Sequence, residues 1–174
     1  MKTFLLLAVA ALCFGATESR IPRSALVSVE GSMNDRFRGV ASDPYDLLGT
    51  ARGTYLDGYG AVFTVELELI YAQPPSPFHP AYSPAELASL RERKLKKLPV
   101  MKETMRALMA GASSTLETLP GNERITMEAI LWNYSWEETR GLPRRVHMTA
   151  EKDKLRRAVA EHTDLASVIE EWEQ

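Results

Sequence analysis

Glu66 and Glu68 stand two apart in a run that alternates apolar and polar residues, so on a β-strand both side chains leave the same face. With Glu128 from a second strand-like run they form the kind of carboxylate set that glycoside hydrolysis uses, at separations of about 5 to 9.5 Å. The weightier expectation is the wet face of an antiparallel sheet, where acidic residues are routine. A second set is cationic. Arg91, Arg93, Lys94, Lys96 and Lys97 fall within seven residues, their charge offset by Glu92 alone. Arg93, Lys94 and Lys97 are candidates to meet an anionic surface by Coulomb attraction. A solvated, lysine-rich helix face is the simpler expectation, because the acidic remainder of the chain opposes long-range attraction. The third set is aromatic: Trp132, Tyr134 and Trp136 share one face if they lie on a strand. Such rings stack on sugars or extended peptides, but their expected place is the core beneath a helix. Trp136, at the far end, is the member kept as a candidate binding platform.

Other chemistry is missing from the pattern. There is no Gly-x-Ser-x-Gly elbow, no Gly-rich phosphate loop and no His-Glu-x-x-His pair. His79, His147 and His162 fall in a proline-rich loop, a strand and a helix, so no metal site is expected, and no cofactor. A net charge of −2, from 21 Lys+Arg and 23 Asp+Glu, argues against a nucleic-acid partner.

Several elements must position these residues. Ser24 to Phe37 carries apolar residues at helical spacing, with Gly31 as a weak point. Phe63, Val65, Leu67, Leu69 and Tyr71 alternate with Thr64, Glu66, Glu68 and Ile70, and Asp57-Gly58 upstream supplies a tight reversal, which predicts a hairpin of 50–56 with 61–71. Prolines then dominate a surface connector over 73–84. Ser83-Pro84-Ala85-Glu86 is a helix start, with a cap, a proline at the first turn and a glutamate reaching back. Leu and Met recur at three- and four-residue steps from Leu87 to Leu119, interrupted by Pro99, where a kink is expected. Ile125–Trp136 and Arg145–Thr149 predict a second hairpin, and Leu155, Val159, His162, Leu165, Ile169 and Trp172 predict a C-terminal helix with a possible break near Thr163-Asp164.

The first residues have another purpose. Lys2 is followed by an unbroken apolar run from Phe4 to Leu12 and then by Cys13-Phe14-Gly15-Ala16, the order of a secretory signal peptide over residues 1–16. The run falls short of the about 20 residues a spanning helix needs, and no later segment approaches that length. Leu12, a bulky residue just before Cys13, disfavours lipoprotein anchoring. Cleavage after Gly15 or Ala16 would remove the single Cys and leave a thiol-free domain, 17–174, for an oxidising compartment.

The stretch Gly53-Thr-Tyr-Leu-Asp-Gly-Tyr-Gly-Ala-Val-Phe-Thr64 resembles a segment of a group of uncharacterised secreted bacterial proteins, and Trp136-Glu-Glu-Thr-Arg-Gly-Leu-Pro143 is similar to another of their segments. The resemblance implies a bacterial, exported protein and transfers no catalytic residue.

The expectation is therefore an α+β fold: two β-hairpins forming a mostly antiparallel sheet packed against a long kinked helix, with N- and C-terminal helices. The expected function is a non-catalytic binding or assembly module of the periplasm or envelope, whose partner is an envelope protein or an anionic surface. The alternative is a hydrolase of an envelope glycan, with Glu66 or Glu68 as acid or base.

Overall fold

The structure is a computed structural model that describes residues 21–39, 44–78 and 80–174. The segment read as a signal peptide, with Cys13, lies outside the described residues, as does His79.

Helix α1 (Arg23–Arg38) buries Leu26, Val29, Met33 and Phe37, the stripe its spacing predicts, and ends with Arg36 and Arg38, which suit the negative end of the helix dipole. A short strand β1 (Asp46–Leu47) and β2 (Arg52–Leu56) both lie antiparallel against β3 (Gly60–Glu68). Gly58 has φ +75° in the reversal between β2 and β3. Gly60 has φ +135°, and a Cβ there would fall 1.9 Å from the carbonyl oxygen of Arg124. Only glycine admits that neighbour.

Helix α2 (Pro84–Thr115) begins with the expected reciprocal cap. The Glu86 amide donates to the Ser83 hydroxyl at 3.3 Å, and the Ser83 amide donates to the Glu86 carboxylate at 2.7 Å. The helix contains Pro99 in its interior and carries Leu98, Met101, Met105, Leu108, Met109 and Ala112 into the core. A connection of this length permits a parallel return. Strand β4 (Arg124–Leu131) accordingly runs parallel to β3, from Gly60 opposite Arg124 to Leu67 opposite Leu131. Strand β5 (Arg145–Glu151) lies antiparallel to β4, helix α3 (Lys152–Ala160) follows, and β6 (Glu170–Glu173) closes the far edge against β5. The sheet is thus mixed, in the order β1-β3-β4-β5-β6 with β2 beside β3.

Register explains the core. Ala61, Ile125 and Ala150 stand in one row across the sheet, Phe63, Met127 and Met148 in the next, and Val65, Ala129 and Val146 in a third. All nine are buried, in one cluster with the apolar stripes of α1 and α2 and with Leu155 of α3. The alternate rows carry Thr64, Glu128, His147 and Trp172, and Glu66, Ile130 and Arg145, on the opposite face.

Two expectations are corrected. The C-terminal helix stops at Ala160: His162 takes φ +53°, a 3₁₀ turn spans Leu165–Ser167, and Trp172 belongs to a strand. Asp164 makes the break by accepting from the Ala166 amide at 2.9 Å, a local cap that competes with continuing the helix. The aromatic stripe is also not on a strand, because β4 ends at Leu131, just before the Trp132 amide donates to the Leu67 carbonyl at 2.9 Å.

Candidate functional site

Strands β3 and β4 run parallel, so their carboxyl ends, Glu68 and Leu131, emerge on the same side of the sheet. The crevice outside such ends is where open sheets with parallel strands commonly bind ligands. Residues 132–144, between β4 and β5, fold over it and wall a groove of about 540 Å³ lined by Trp132, Asn133, Tyr134, Ser135, Thr139, Arg144 and Arg145 among others.

Behind the groove lies a buried ion pair. Lys94 of α2 is wholly buried, and its Nζ donates to Asn133 Oδ1 at 3.0 Å and to a carboxylate oxygen of Glu137, which also lines the groove. Both side chains of the pair are 1% exposed. Burying such a pair is costly unless geometry and hydrogen bonds compensate. Here the Asn133 acceptor and the Glu137 charge share one ammonium and so tie the loop to the helix. Glu68 lies beside them. Burial pushes its carboxyl above the ordinary carboxylate range; the Lys94 charge opposes the rise, Asp46 and Glu137 add to it, and the Tyr134 hydroxyl holds it back by hydrogen bonding. Glu68 Oε2 and Glu137 Oε1 are buried without hydrogen-bond partners among the described residues.

An aromatic stack buttresses the loop. Tyr82, just before α2, lies on Trp136 with ring centroids 5.0 Å apart and planes 8° from parallel, and Tyr134 lies on Trp136 at 5.4 Å and 12°. The Tyr82 hydroxyl donates to the Gln73 carbonyl at 3.0 Å, which closes the neck of the proline-rich segment. Trp136 therefore spends its stacking surface inside the protein and is not the open platform expected of it. The solvent-facing ring at the groove is Trp132, 51% exposed.

The carboxylates and cations taken from the sequence scatter. Glu66 is exposed on the open sheet face, whereas Glu68 is 1% exposed, so the two do not share one wet surface as expected. The structure pairs Glu68 with Glu137 and Lys94 instead. Arg93 is exposed, but Lys94 and Lys97 are buried, which corrects the solvated basic face. Lys97 Nζ donates to the Pro44 carbonyl at 3.0 Å and stands 4.5 Å from the centre of the Tyr45 ring. Spacing could have found this. Leu90, Lys94, Lys97 and Met101 are separated by four, three and four residues, so the two lysines sit on the buried stripe of α2.

His147 faces Trp172 across β5 and β6 with ring centroids 3.8 Å apart. Burial lowers its pKa, against the pull of Glu128, so the imidazole is neutral near pH 7. Among the described residues no group of three or more His, Cys, Asp or Glu is placed to hold a metal ion. No described helix is long and apolar enough to cross a membrane. In comparisons with known proteins, no family model, no curated protein and no solved structure matches the chain.

Proposed function

We propose that the protein is an exported, non-catalytic binding module of the bacterial envelope, and that its ligand lies in the groove beneath residues 132–144. The apolar N-terminal run behind Lys2 supports export. One observation carries the binding reading. Two residues that line the groove, Asn133 and Glu137, are held from behind by the buried Lys94, and an open ring, Trp132, stands on its wall. A pocket of about 540 Å³ is within the range that holds a small ligand or a short piece of polymer. Preorganisation of this kind lowers the entropic cost of binding. The geometry favours binding over hydrolysis by Glu66 and Glu68, since a ligand touching exposed Glu66 does not touch buried Glu68.

Fractionated envelope material titrated into the purified domain tests this reading by thermal shift. A fraction supplying ligand at about a hundred times its Kd should add about 2.7 kcal/mol of stability and raise Tm by roughly 5–10 °C. Trp132→Ala should lose that shift and Trp172→Ala should retain part of it. A shift that survives Trp132→Ala in full would place the ligand elsewhere.

A further inference from the structure

The groove does not stop at Arg145. The same side chain also lines a second trough, of about 250 Å³, shared with Glu128, His147, Trp172 and Gln174 on the open sheet face. Each trough thus has an exposed tryptophan in its lining, Trp132, 51% exposed, in the first and Trp172, 44% exposed, in the second, and Arg145 is common to both. Trp172 rests on the neutral His147 ring, which fixes its plane without adding charge.

The charges around this path are unequally spent. The Glu137 carboxylate is matched by Lys94, and the Glu128 carboxylate by Arg145 at 3.5 Å. Arg144 is exposed and has no ion-pair partner among the described residues, and the Arg145 side chain is still 55% exposed beside Glu128. Arg144 is thus the unmatched charge on this path, a cation on a chain whose net charge is −2. We propose that the two troughs form one linear site for an acidic oligosaccharide, with Trp132 and Trp172 as platforms for sugar rings and Arg144 and Arg145 as receivers of its carboxylates or sulfates. This rests on the reading of the groove as the recognition site.

Each component has its chemistry. An indole face takes the apolar C–H face of a pyranose over a large area at low entropy cost. A guanidinium takes a carboxylate or sulfate in a bidentate fork. Asn133, Ser135 and Thr139 in the first trough supply donors and acceptors for ring hydroxyls. A peptide adding itself as a strand is not accommodated on this path, because β5 already pairs with β4 on one side and with β6 on the other.

Isothermal titration with oligogalacturonates of two and six sugars, and with neutral maltohexaose, tests the proposal. The acidic hexamer should bind at least tenfold more tightly than the dimer or maltohexaose, with an affinity that falls as salt rises. Trp172→Ala should cost the hexamer tenfold or more and leave the dimer unchanged, whereas Trp132→Ala should weaken both. Arg144→Gln, at an exposed position in the first trough, should weaken the acidic hexamer and the acidic dimer and leave maltohexaose unchanged, and it gives an independent reading of the acidic ligand should Trp172→Ala fail to fold. An unaffected hexamer in Trp172→Ala, with binding lost in Trp132→Ala, would overturn the linear site and leave the groove standing. Equal affinity for maltohexaose would overturn the acidic ligand. No binding of either hexamer by the native protein would overturn the proposal and leave the groove to the thermal-shift test, whereas hexamer binding untouched by Trp132→Ala would overturn the proposal together with the reading beneath it.

Discussion

At the scale of single residues, Lys94 organises the site. Its ammonium holds Asn133 and Glu137 in place, and both side chains of the ion pair are 1% exposed. Lys94→Met should therefore cost about 3–5 kcal/mol in urea unfolding, because Glu137 is left charged, buried and unpaired. Lys94→Met combined with Glu137→Leu should recover most of that loss, and a double variant as unstable as the single one would refute the pairing argument. Glu68 makes the complementary prediction in pH. Burial raises its pKa above the ordinary 4.5, so the folded state holds this proton more tightly than the unfolded chain. The stabilisation is complete below about pH 4.5 and is lost as pH rises through the raised value. Glu68→Gln stays neutral at every pH. Its Tm should exceed the native Tm at pH 8, and the gap should close towards pH 4; a gap independent of pH would show that folding does not raise the Glu68 pKa. These two residues also mark the limits of the sequence. The alternation of β3 placed Glu68 on the same face as Glu66 correctly, but face and burial are different properties. Glu68 is covered by Tyr134 and by Lys94, residues 66 and 26 positions away, and no local period announces such a lid.

At the scale of elements, what was legible follows from short-range physics. The cap of α2 and the tight reversal after β2 are specified within four residues each, and both stand as expected. The C-terminal region was misread because Leu155, Val159, His162, Leu165, Ile169 and Trp172 mimic a helical period, while the competing terms are tertiary. Glu171 of β6 pairs with Lys102 at 2.8 Å and with Arg106 at 2.6 Å, and Trp172 stacks on His147. The same distinction separates two glycines. Gly58 needs only a positive φ, with nothing within 4 Å of a Cβ, so Gly58→Ala should cost about 1 kcal/mol. Gly60 needs a positive φ and also the close approach of Arg124, where β4 enters the parallel pairing. A methyl group there must displace backbone, and Gly60→Ala should cost several kcal/mol more than Gly58→Ala in chemical denaturation. Equal costs would mean that the parallel junction tolerates a shift at its start.

At the scale of the whole molecule, the sheet joins two antiparallel halves through one parallel pair, and its exposed margins are treated differently. On one side the edge is divided between β1 and β2, two short pieces that offer little continuous backbone to another chain. On the other side β6 is Glu-Glu-Trp-Glu, and acidic residues on an edge strand discourage pairing with a second sheet. Two of its acids also reach the helical layer, where Glu171 meets Lys102 and Arg106 and Glu173 meets Lys102, while Glu170 lies 3.2 Å from Arg124 of β4. Each exposed pair is worth little alone, yet together with the β5 ladder they fix a strand that would otherwise fray. Removing residues 170–174 would uncover the backbone of β5 from Val146 to Thr149, an edge of the same four-residue length but more apolar and without a carboxylate. The truncated domain should melt at a lower temperature and also associate with rising concentration, seen as earlier elution in size-exclusion chromatography, whereas the full chain should not change its elution over the same range. The two effects come from different causes, lost contacts and an unpaired edge, so adding salt should leave the association in place while it weakens the ion pairs of the intact chain. A truncated domain that melts lower but keeps its elution position would show that β6 stabilises the sheet without guarding it.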